Sequence, residues 1–324
     1  MKQKVALITG IAGQDGSYLS ELLLNKNYKI FGIKKQNSDQ NKYNNIRHIL
    51  NKIKFVSADL LIETSLIDAI KKTKPDEIYN LAAQSSVAES WKNPIHTGEI
   101  TALGAIRLLE SIRKTNNKIK FYQASSSEIF GGSKKSPQNE ETCPNPKSPY
   151  GAAKLYAHWM VKNYRETYNM FAVSGILFNH ESPRRGLEYV TRKITHEAVK
   201  IKLGMSKELK LGNLDAEKDW GFAGDYVEAM WLMLQQENPK DFVIGTGKIH
   251  SVLEFVTETF NFLKLDWKNY VKIDASFLRP AETNLLIADI TNAKKTLKWK
   301  PKINFKNLIK MMVAEELNFL SKNK

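Results

Sequence analysis

The segment VALITGIAGQDG at positions 5–16 constrains the fold more than any other part of the chain. A β-branched, apolar run ends at Gly10, two more glycines follow at three-residue spacing, Gly13 and Gly16, and a leucine-rich helical stretch comes next. Glycines let the backbone approach a pyrophosphate closely, and the free N–H groups at a helix N-terminus meet its negative charge. The segment therefore predicts a strand, a phosphate-binding turn and a helix, as in dinucleotide-binding folds.

The first half of the chain continues this alternation of apolar runs and amphipathic stretches. Candidate strands are residues 5–9, 29–33, 54–56, 77–81, 119–124 and 172–178, and helical stretches lie between them. This order is typical of a parallel sheet with helices on its faces. We therefore predict an α/β fold with a Rossmann-like, doubly wound parallel sheet.

Two segments depart from this alternation. Residues 133–149 are rich in Pro, Asn, Lys and Ser, which predicts a surface loop before a helix that starts near Tyr150. Residues 180–186 contain Pro183 and two arginines, which predicts an irregular crossing into a substrate-binding part. We expect a dinucleotide-binding domain of residues 1–178 plus about 219–250, and a smaller C-terminal α/β domain of about 179–218 plus 251–324.

Composition narrows the class of protein. The net charge of +15 could indicate a nucleic-acid partner, but the lysine pairs are spread along the chain with acidic residues between them, which favours an ordinary solvated surface. No apolar run approaches the ~18 residues of a membrane span, and no signal-peptide core precedes the first strand, so we expect a cytoplasmic protein without a membrane partner. The single cysteine, Cys143, forms no internal disulfide, and the six scattered histidines indicate no metal site.

The end of the second predicted strand bears on the choice of dinucleotide. An NAD-preferring fold would place an acidic residue there, ~20 residues after the glycines. Here Lys34 and Lys35 occupy that position, and cations favour the 2′-phosphate of NADP. Two solvated lysines are the alternative. Asp59 follows the next strand, where it could meet the adenine or simply form a turn.

Tyr150 and Lys154 are four residues apart on a predicted helix, so their side chains share one face. A tyrosine with a pKa of ~10 is a poor base near neutrality, and a nearby ammonium favours its anion. Ser125–Ser127 and Glu128 follow a predicted strand, at the sheet edge where such folds bind ligands. Ser126 could hydrogen-bond the substrate oxygen that Tyr150 deprotonates, and Glu128 could serve as base and then as acid.

Together these residues resemble the extended short-chain dehydrogenase/reductase superfamily, and longer strings resemble its GDP-mannose 4,6-dehydratase family over nearly the whole chain. The matching strings are ALITG (6–10), GQDGSYL (13–19), YNLAAQS (79–85), FYQAS (121–125), SPYGAAK (148–154), GILFNHESPRRG (175–186), VTRKI (190–194), LGNLD (211–215), DYVEAMW (225–231) and Arg279-Pro with Glu282.

The resemblance implies a hydro-lyase that converts a GDP-hexose, GDP-mannose or a close relative, to the GDP-4-keto-6-deoxy-hexose. Tyr150 would take the proton from O4 while hydride passes from C4 to NADP; Glu128 would remove the C5 proton as the 6-hydroxyl departs, and hydride would return to C6. Lys154 and Ser126 would support Tyr150. Ser126 stands where the family usually has threonine, and the hydroxyl is retained.

The resemblance also implies which residues bind each ligand. The catalytic set is Ser126, Ser127, Glu128, Tyr150 and Lys154. The set expected to bind NADP is Gly10, Gly13, Gln14, Asp15, Gly16, Lys34, Lys35, Asp59, Leu60, Leu81, Ala82, Ala83, Ser85, Tyr150, Lys154, Leu177, Asn179, His180 and Arg185. The set expected to bind the GDP-sugar is Ser85, Ser126, Glu128, Asn179, Arg185, Val190, Lys193, Leu211, Gly212, Lys218, Arg279 and Glu282; Lys218 replaces a family arginine.

Other departures from the family pattern keep alternatives open. Ser86, Ser174 and Phe222 stand where we expect histidine, asparagine and histidine, so GDP-N-acetylglucosamine or a GDP-heptose is an alternative substrate. A nucleotide-sugar epimerase and a non-catalytic NADP-binding protein are the alternative functions. The segment Lys34-Lys35-Gln36-Asn37 differs from the family loop that joins subunits, so a homodimer is as well supported as a homotetramer.

Overall fold

The alternating apolar runs form a seven-stranded parallel sheet in the computed structural model, which describes residues 3–35, 40–277 and 284–322. The order across the sheet is β11-β6-β5-β4-β1-β2-β3, and every neighbouring pair is parallel. These strands are β1 (Val5–Thr9), β2 (Lys29–Lys34), β3 (Ile53–Ser57), β4 (Glu77–Asn80), β5 (Lys120–Ser126), β6 (Ala172–Leu177) and β11 (Phe242–Ile244). The predicted Rossmann-like sheet is confirmed. Strand order reverses between β1 and β4, and such a switch point opens a crevice at the carboxyl ends of the strands.

Ten α-helices are formed by the described residues: α1 (Gln14–Asn25), α2 (Glu63–Thr73), α3 (Val87–Lys92), α4 (Pro94–Thr97), α5 (Gly104–Thr115), α6 (Pro149–Tyr168), α7 (Val190–Lys202), α8 (Ala223–Leu234), α9 (Val252–Phe262) and α10 (Phe305–Lys322). Shorter helical turns cover Gln40–Lys52, Gly98–Leu103, Ser127–Phe130, Trp267–Asn269, Ala275–Phe277 and Ala293–Leu297. Within these described helices, none has the length and apolarity required to cross a membrane.

The alternation of side chains along each strand builds a core on both faces of the sheet. Ala6 and Ile8 belong to one core with α1 and α8, whereas Leu7 belongs to the other with α2, α5 and α6. Successive strand residues point to opposite faces, so a continuously apolar strand is buried on both sides. The sheet edge that carries the loops is therefore held rigidly from both faces.

A third apolar core lies apart from the sheet and is built by α7, α9 and α10 around Trp220 and Phe255. Its short strands pair as β7 (Asn179–Glu181) with β10 (Trp220–Phe222), β9 (Glu217–Lys218) with β12 (His250–Ser251), and β8 (Leu209–Leu211) with β13 (Val271–Ile273). The predicted division placed residues 251–324 with this core. Leu286, Ala288, Ile290, Ala293, Leu297 and Trp299, however, pack in the core beside the sheet.

Two local predictions were wrong in part. Residues 180 and 181 lie in β7, because parallel pairing with β10 supplies the hydrogen bonds that an irregular crossing would lack. Residues 133–149 are not wholly a surface loop: Gln138 is fully buried, its side-chain nitrogen donates to the Leu285 carbonyl at 3.0 Å, and its side-chain oxygen accepts from the Ile287 N–H at 2.8 Å. Pairing with residues distant in sequence satisfies the backbone there, which composition does not reveal.

Candidate active site

A cavity of about 1600 Å³ opens at the carboxyl ends of the sheet strands and continues between the sheet and the third core. It contains all the predicted site residues except four. Lys34 and Ser127 do not line it, and Arg279 and Glu282 lie outside the described residues, as do Gln36 and Asn37. Its lining residues range along the chain from Thr9 to Phe277 and come both from the sheet side and from the part that holds the third core.

The glycine turn after β1 has the geometry of a phosphate cradle. Gly10 has a φ of +67°, which L side chains rarely adopt, and a Cβ there would lie 2.9 Å from the Ala82 nitrogen. A Cβ on Gly16 would lie 2.4 Å from the Gly10 carbonyl oxygen. Gly13 is the N-cap of α1 and has no side chain to cover the first-turn N–H groups. The turn thus leaves room for a pyrophosphate against the helix N-terminus and fits a dinucleotide.

A buried polar network holds the loop after β4 against this turn. The Thr9 hydroxyl donates to the Asn80 side-chain oxygen at 2.6 Å and accepts from the N–H groups of Leu81 and Ala82, each at 3.0 Å. Asn80 in turn donates to the Gln123 side chain at 2.7 Å. This network links three neighbouring strands. Sequence reasoning did not identify it, although polar residues at the ends of apolar strands are the signal.

The second strand places one of its two terminal lysines in the cavity. Lys35 lines it and lies 3.2 Å from the Asp59 carboxylate, while Leu60 lines the same end. The Lys34 ammonium instead lies 5.8 Å from the centre of the Phe55 ring, outside the cavity. Of the two lysines predicted to bind the dinucleotide, the structure therefore places Lys35, just beyond the end of β2, in the cavity and leaves Lys34 outside it.

Asp15 and His180 form a buried pair that joins the glycine-turn helix to β7. His180 Nε2 lies 2.9 Å from an Asp15 carboxylate oxygen, and its other ring nitrogen lies 2.8 Å from the Phe178 carbonyl oxygen. Burial alone would raise the pKa of Asp15 and lower that of His180. Their mutual attraction outweighs burial, so the Asp15 pKa is lowered and the His180 pKa is raised. This buried pair, in which each group favours the charged form of the other, forms part of the cavity wall.

Tyr150 and Lys154 project from α6 into the cavity. Ser148 caps the helix by accepting the Gly151 N–H at 3.0 Å, and Pro149 occupies the first turn, which fixes where the helix begins. Ser126, the last residue of β5, lines the same cavity. The Lys154 ammonium donates to the Ala124 carbonyl at 2.7 Å and lies 5.7 Å from the centre of the Tyr150 ring.

The protonation of this pair differs from the expectation. Burial raises the pKa of Tyr150 well above its usual value, and the Ser126 hydroxyl opposes this only in part. Burial also lowers the pKa of Lys154 to about 8. Burial thus outweighs the groups that favour the Tyr150 anion, and the Lys154 ammonium is directed at the Ala124 carbonyl.

Glu128 lies beside Tyr150 in the cavity, just after β5. Its N–H donates to the Ser126 hydroxyl at 3.3 Å, which starts the short helical turn Ser127–Phe130. One of its carboxylate oxygens, Oε2, is buried and has no hydrogen-bond partner among the described residues. An unpaired, buried carboxylate oxygen is costly unless it meets a ligand. Ser127 is buried and does not line the cavity.

The far half of the cavity is basic and aromatic. Arg185 Nε lies 3.3 Å from the buried Glu181 carboxylate, and Lys193 lies 3.3 Å from the centre of the Phe277 ring. The other residues predicted for this half that line it are Asn179, Val190, Leu211, Gly212 and Lys218. Cations and aromatic faces of this kind suit a nucleoside diphosphate.

Sequence reasoning missed Glu181, Tyr189 and Phe277. Glu181 and Tyr189 hold Arg185 from two sides, since the guanidinium also lies 3.5 Å from the centre of the Tyr189 ring. Glu181 and Tyr189 flank the arginine-rich segment in sequence, which is the signal that could have found them. Of the three residues that depart from the family pattern, Ser86 lines the cavity, whereas Ser174 is buried in β6 and Phe222 packs against Tyr18.

Comparison with known proteins identifies relatives along the whole chain. A model of the GDP-mannose 4,6 dehydratase family matches residues 7–312. GDP-mannose 4,6 dehydratase 2 of Arabidopsis thaliana is 52% identical, with 99% of this chain and 89% of that protein covered. The human GDP-mannose 4,6 dehydratase is 47% identical, with 99% and 93% covered.

Solved structures share the fold at lower identity. UDP-glucose 4-epimerase of Thermotoga maritima has a TM-score of 0.86 at 23% identity, covering 99% of this chain and 100% of that chain. RMD of Pseudomonas aeruginosa, solved with NADPH, has a TM-score of 0.83 at 20% identity, covering 98% and 100%. dTDP-glucose 4,6-dehydratase of Bacillus anthracis, solved with NAD, has a TM-score of 0.83 at 23% identity, covering 99% and 97%.

Proposed function

The chain belongs to the GDP-mannose 4,6-dehydratase family, and we propose that it is a hydro-lyase that converts GDP-mannose to GDP-4-keto-6-deoxy-mannose and water. The observation that carries this proposal is the position of Glu128. Glu128 lines the same cavity as Tyr150, and one of its carboxylate oxygens is buried without a hydrogen-bond partner among the described residues. A simple reductase or a 4-epimerase has no step at C5 and C6 that needs such a carboxylate.

Tyr150 acts at the 4-hydroxyl of the hexose. Its hydroxyl, beside Ser126, accepts the O4 proton during oxidation, and Lys154 one helical turn later supplies positive charge behind it. A nicotinamide dinucleotide would be held by the glycine turn and Lys35 and would supply a reversible hydride acceptor, so no external oxidant would be consumed. Because burial makes the free phenol a weak acid, Tyr150 becomes an effective base only where charge in the filled cavity favours its anion.

Glu128 acts at C5 and C6. The new 4-ketone acidifies the C5 proton, which the Glu128 carboxylate removes. The same group then delivers that proton to the departing 6-hydroxyl, which leaves as water, and the proton that Tyr150 took from O4 is returned to C5 when C6 is reduced. One carboxylate can serve as base and acid in turn because the two atoms are on adjacent carbons of one bound ring.

The cofactor is a nicotinamide dinucleotide, and we assign it as NADP. Support comes from Lys35, which lines the cavity at the end of β2, where an acidic residue would favour NAD. The RMD structure contains NADPH and the Bacillus anthracis structure contains NAD, so the fold accommodates both. The sugar assignment to mannose is supported by the relatives and by the location of Ser174 and Phe222 outside the cavity.

Replacement of Glu128 tests the reaction. In Glu128→Gln the shape is kept and the proton-transfer group is lost, so we expect the rate of water loss to fall by about 10²- to 10⁴-fold while NADP binding is unchanged. Mass spectrometry of GDP-mannose incubations measures the loss of one water. Glu166→Gln, an exposed change on α6, is the matched control. Wild-type turnover without water loss would instead support the epimerase, and a wild-type rate in Glu128→Gln would exclude the assigned role.

The cofactor assignment is tested by the two adjacent lysines. Lys35→Ala removes the cation in the cavity, so we expect its affinity for NADP to fall roughly threefold to tenfold with little change for NAD. Lys34→Ala removes the neighbouring cation outside the cavity and should change neither. Calorimetric titration with both dinucleotides measures the four affinities. A Lys35→Ala protein that binds NADP as tightly as wild type would contradict the assignment.

A further inference from the structure

The Ser85 and Tyr189 hydroxyls form a hydrogen-bonded bridge across the cavity. Their oxygens lie 2.8 Å apart. Ser85 is in the loop between β4 and α3, on the sheet side, whereas Tyr189 immediately precedes α7, which packs in the third core. The bridge therefore joins the two walls of the cavity at one point, and both residues line it.

The Tyr189 ring is held in place before any sugar arrives. The Arg185 guanidinium lies 3.5 Å from the ring centre. Arg185 is fixed in turn by an ion pair, because its Nε lies 3.3 Å from the Glu181 carboxylate. Glu181 is only 3% exposed and also accepts a hydrogen bond from the Thr191 hydroxyl at 2.5 Å. This chain of contacts leaves the phenol little rotational freedom, so its hydroxyl is presented at a set position.

The bridge is close to the reacting groups. Burial raises the pKa of Tyr150, and Tyr189 and Glu128 are the next neighbours that add to this increase. Ser85, Glu128, Tyr150 and Tyr189 all line the same cavity. A hexose bound against Tyr150 and Glu128 is therefore in the part of the cavity that the Tyr189 hydroxyl also lines.

The chemistry of the proposed function, on which this inference rests, limits which sugar atoms are available. The 4-hydroxyl is engaged by Tyr150, and the 6-hydroxyl departs next to Glu128. Only the 2- and 3-hydroxyls are unchanged by the reaction and can serve as fixed points of attachment.

We infer that Tyr189 is a positioning residue for the hexose: its hydroxyl, with that of Ser85, binds the 2- or 3-hydroxyl of the sugar. The sugar hydroxyl exchanges into the Ser85–Tyr189 hydrogen bond, which holds the ring in the cavity beside Tyr150 and Glu128 in the ground state and the transition state alike. Stacking of Arg185 on the Tyr189 ring keeps the phenol in this position through the reaction.

Tyr189→Phe tests this inference by removing one oxygen. With GDP-mannose we expect KM to rise about threefold to tenfold and kcat to stay within about twofold, since the lost contact is made in ground state and transition state alike. The rise should disappear with either GDP-2-deoxymannose or GDP-3-deoxymannose, whichever lacks the contacted hydroxyl. An unchanged KM for GDP-mannose, or an equal rise for all three substrates, would overturn the inference.

Two controls separate this role from others. A purely structural role at the start of α7 would lower the melting temperature and would not depend on the hydroxyls of the sugar, so thermal unfolding of Tyr189→Phe is measured alongside. Tyr168→Phe, on the exposed end of α6, controls for loss of a phenol elsewhere. If the proposed function is wrong, the wild-type protein removes no water from GDP-mannose. If only this inference is wrong, the wild-type protein removes water but the KM of Tyr189→Phe does not change as expected.

Discussion

Burial controls the charge of the two α6 residues on which the proposed reaction depends. Lys154 is only 4% exposed, and its pKa falls to about 8 because its ammonium is poorly solvated there. The Ala124 carbonyl compensates with a single hydrogen bond. The cost of keeping this cation buried is therefore part of the stability of the free protein, and it is the kind of cost that active sites carry for function.

Lys154 should make the stability of the protein depend on pH. Below pH 8 the folded protein bears the full cost of the buried cation. Between pH 8 and about 10.5 only the unfolded chain keeps the proton on Lys154. The free energy of unfolding therefore rises with pH across this range, by roughly 3 kcal/mol in all. Lys154→Met lacks this gain. Urea unfolding is measured from pH 7 to pH 10.5. The free energy of unfolding of the variant minus that of wild type, which the lost hydrogen bond lowers, should fall steadily as the pH rises. A pH-independent difference would contradict the expected protonation.

Close backbone contact defines the glycine turn and α1 as a unit. The ideal Cβ of Gly16 would meet the backbone of both Gly10 and Ile11, at 2.4 Å and 2.6 Å, and neither atom can move without shifting the turn. The helix can approach the strand this closely only because no side chain intervenes. That approach directs the helix N-terminus at the site proposed for the pyrophosphate.

Gly16→Ala should disrupt this unit. We expect a loss of about 1–3 kcal/mol in the free energy of unfolding, as for other overpacked sites, together with weaker dinucleotide binding. Gly98→Ala is the matched control, because a Cβ there meets nothing within 4 Å and its backbone is helical. That variant should be neutral or up to about 1 kcal/mol more stable. Chemical denaturation and dinucleotide titration measure both quantities; equal behaviour of the two variants would argue against a tight turn.

At the scale of the whole molecule, the cavity joins bodies that have separate apolar cores. The glycine turn, Lys35 and Tyr150 belong to the sheet side, and Lys193 and Leu211 belong to elements of the third core. The Ser85–Tyr189 bridge and the Asp15–His180 pair join groups of the two walls directly. A nucleotide-sugar bound beside a dinucleotide would therefore stabilise the arrangement of both bodies.

Ligands should accordingly raise the melting temperature. NADP at about 100 times its dissociation constant should add about 2.7 kcal/mol, and GDP added to the NADP complex should raise the melting temperature further by several degrees. UDP at the same concentration is the control for recognition of the guanine base. Thermal unfolding with each ligand alone and in pairs measures the effect. A GDP shift that is absent with NADP bound would show that the two ligands do not occupy the cavity together.

Local patterns were enough to predict the parallel sheet, the glycine turn after β1 and the shared helix face of Tyr150 and Lys154. Each depends on residues within a few positions of one another, where periodicity of two or 3.6 and glycine spacing determine the geometry. The short strand β7 and the burial of Gln138 could not be predicted in this way, because their hydrogen-bond partners are about 40 and 150 residues away along the chain.

Tertiary contacts alone decided the remaining details of the site. Which of Lys34 and Lys35 enters the cavity depends on where β2 ends: the strand stops at Lys34, and Lys35, just beyond it, lines the cavity. The Lys154 ammonium turns to a carbonyl and Tyr189 reaches Ser85 because desolvation and packing bring together groups from separate elements. Sequence spacing specifies residues on one element, whereas the direction of a buried polar group is set by every element around it.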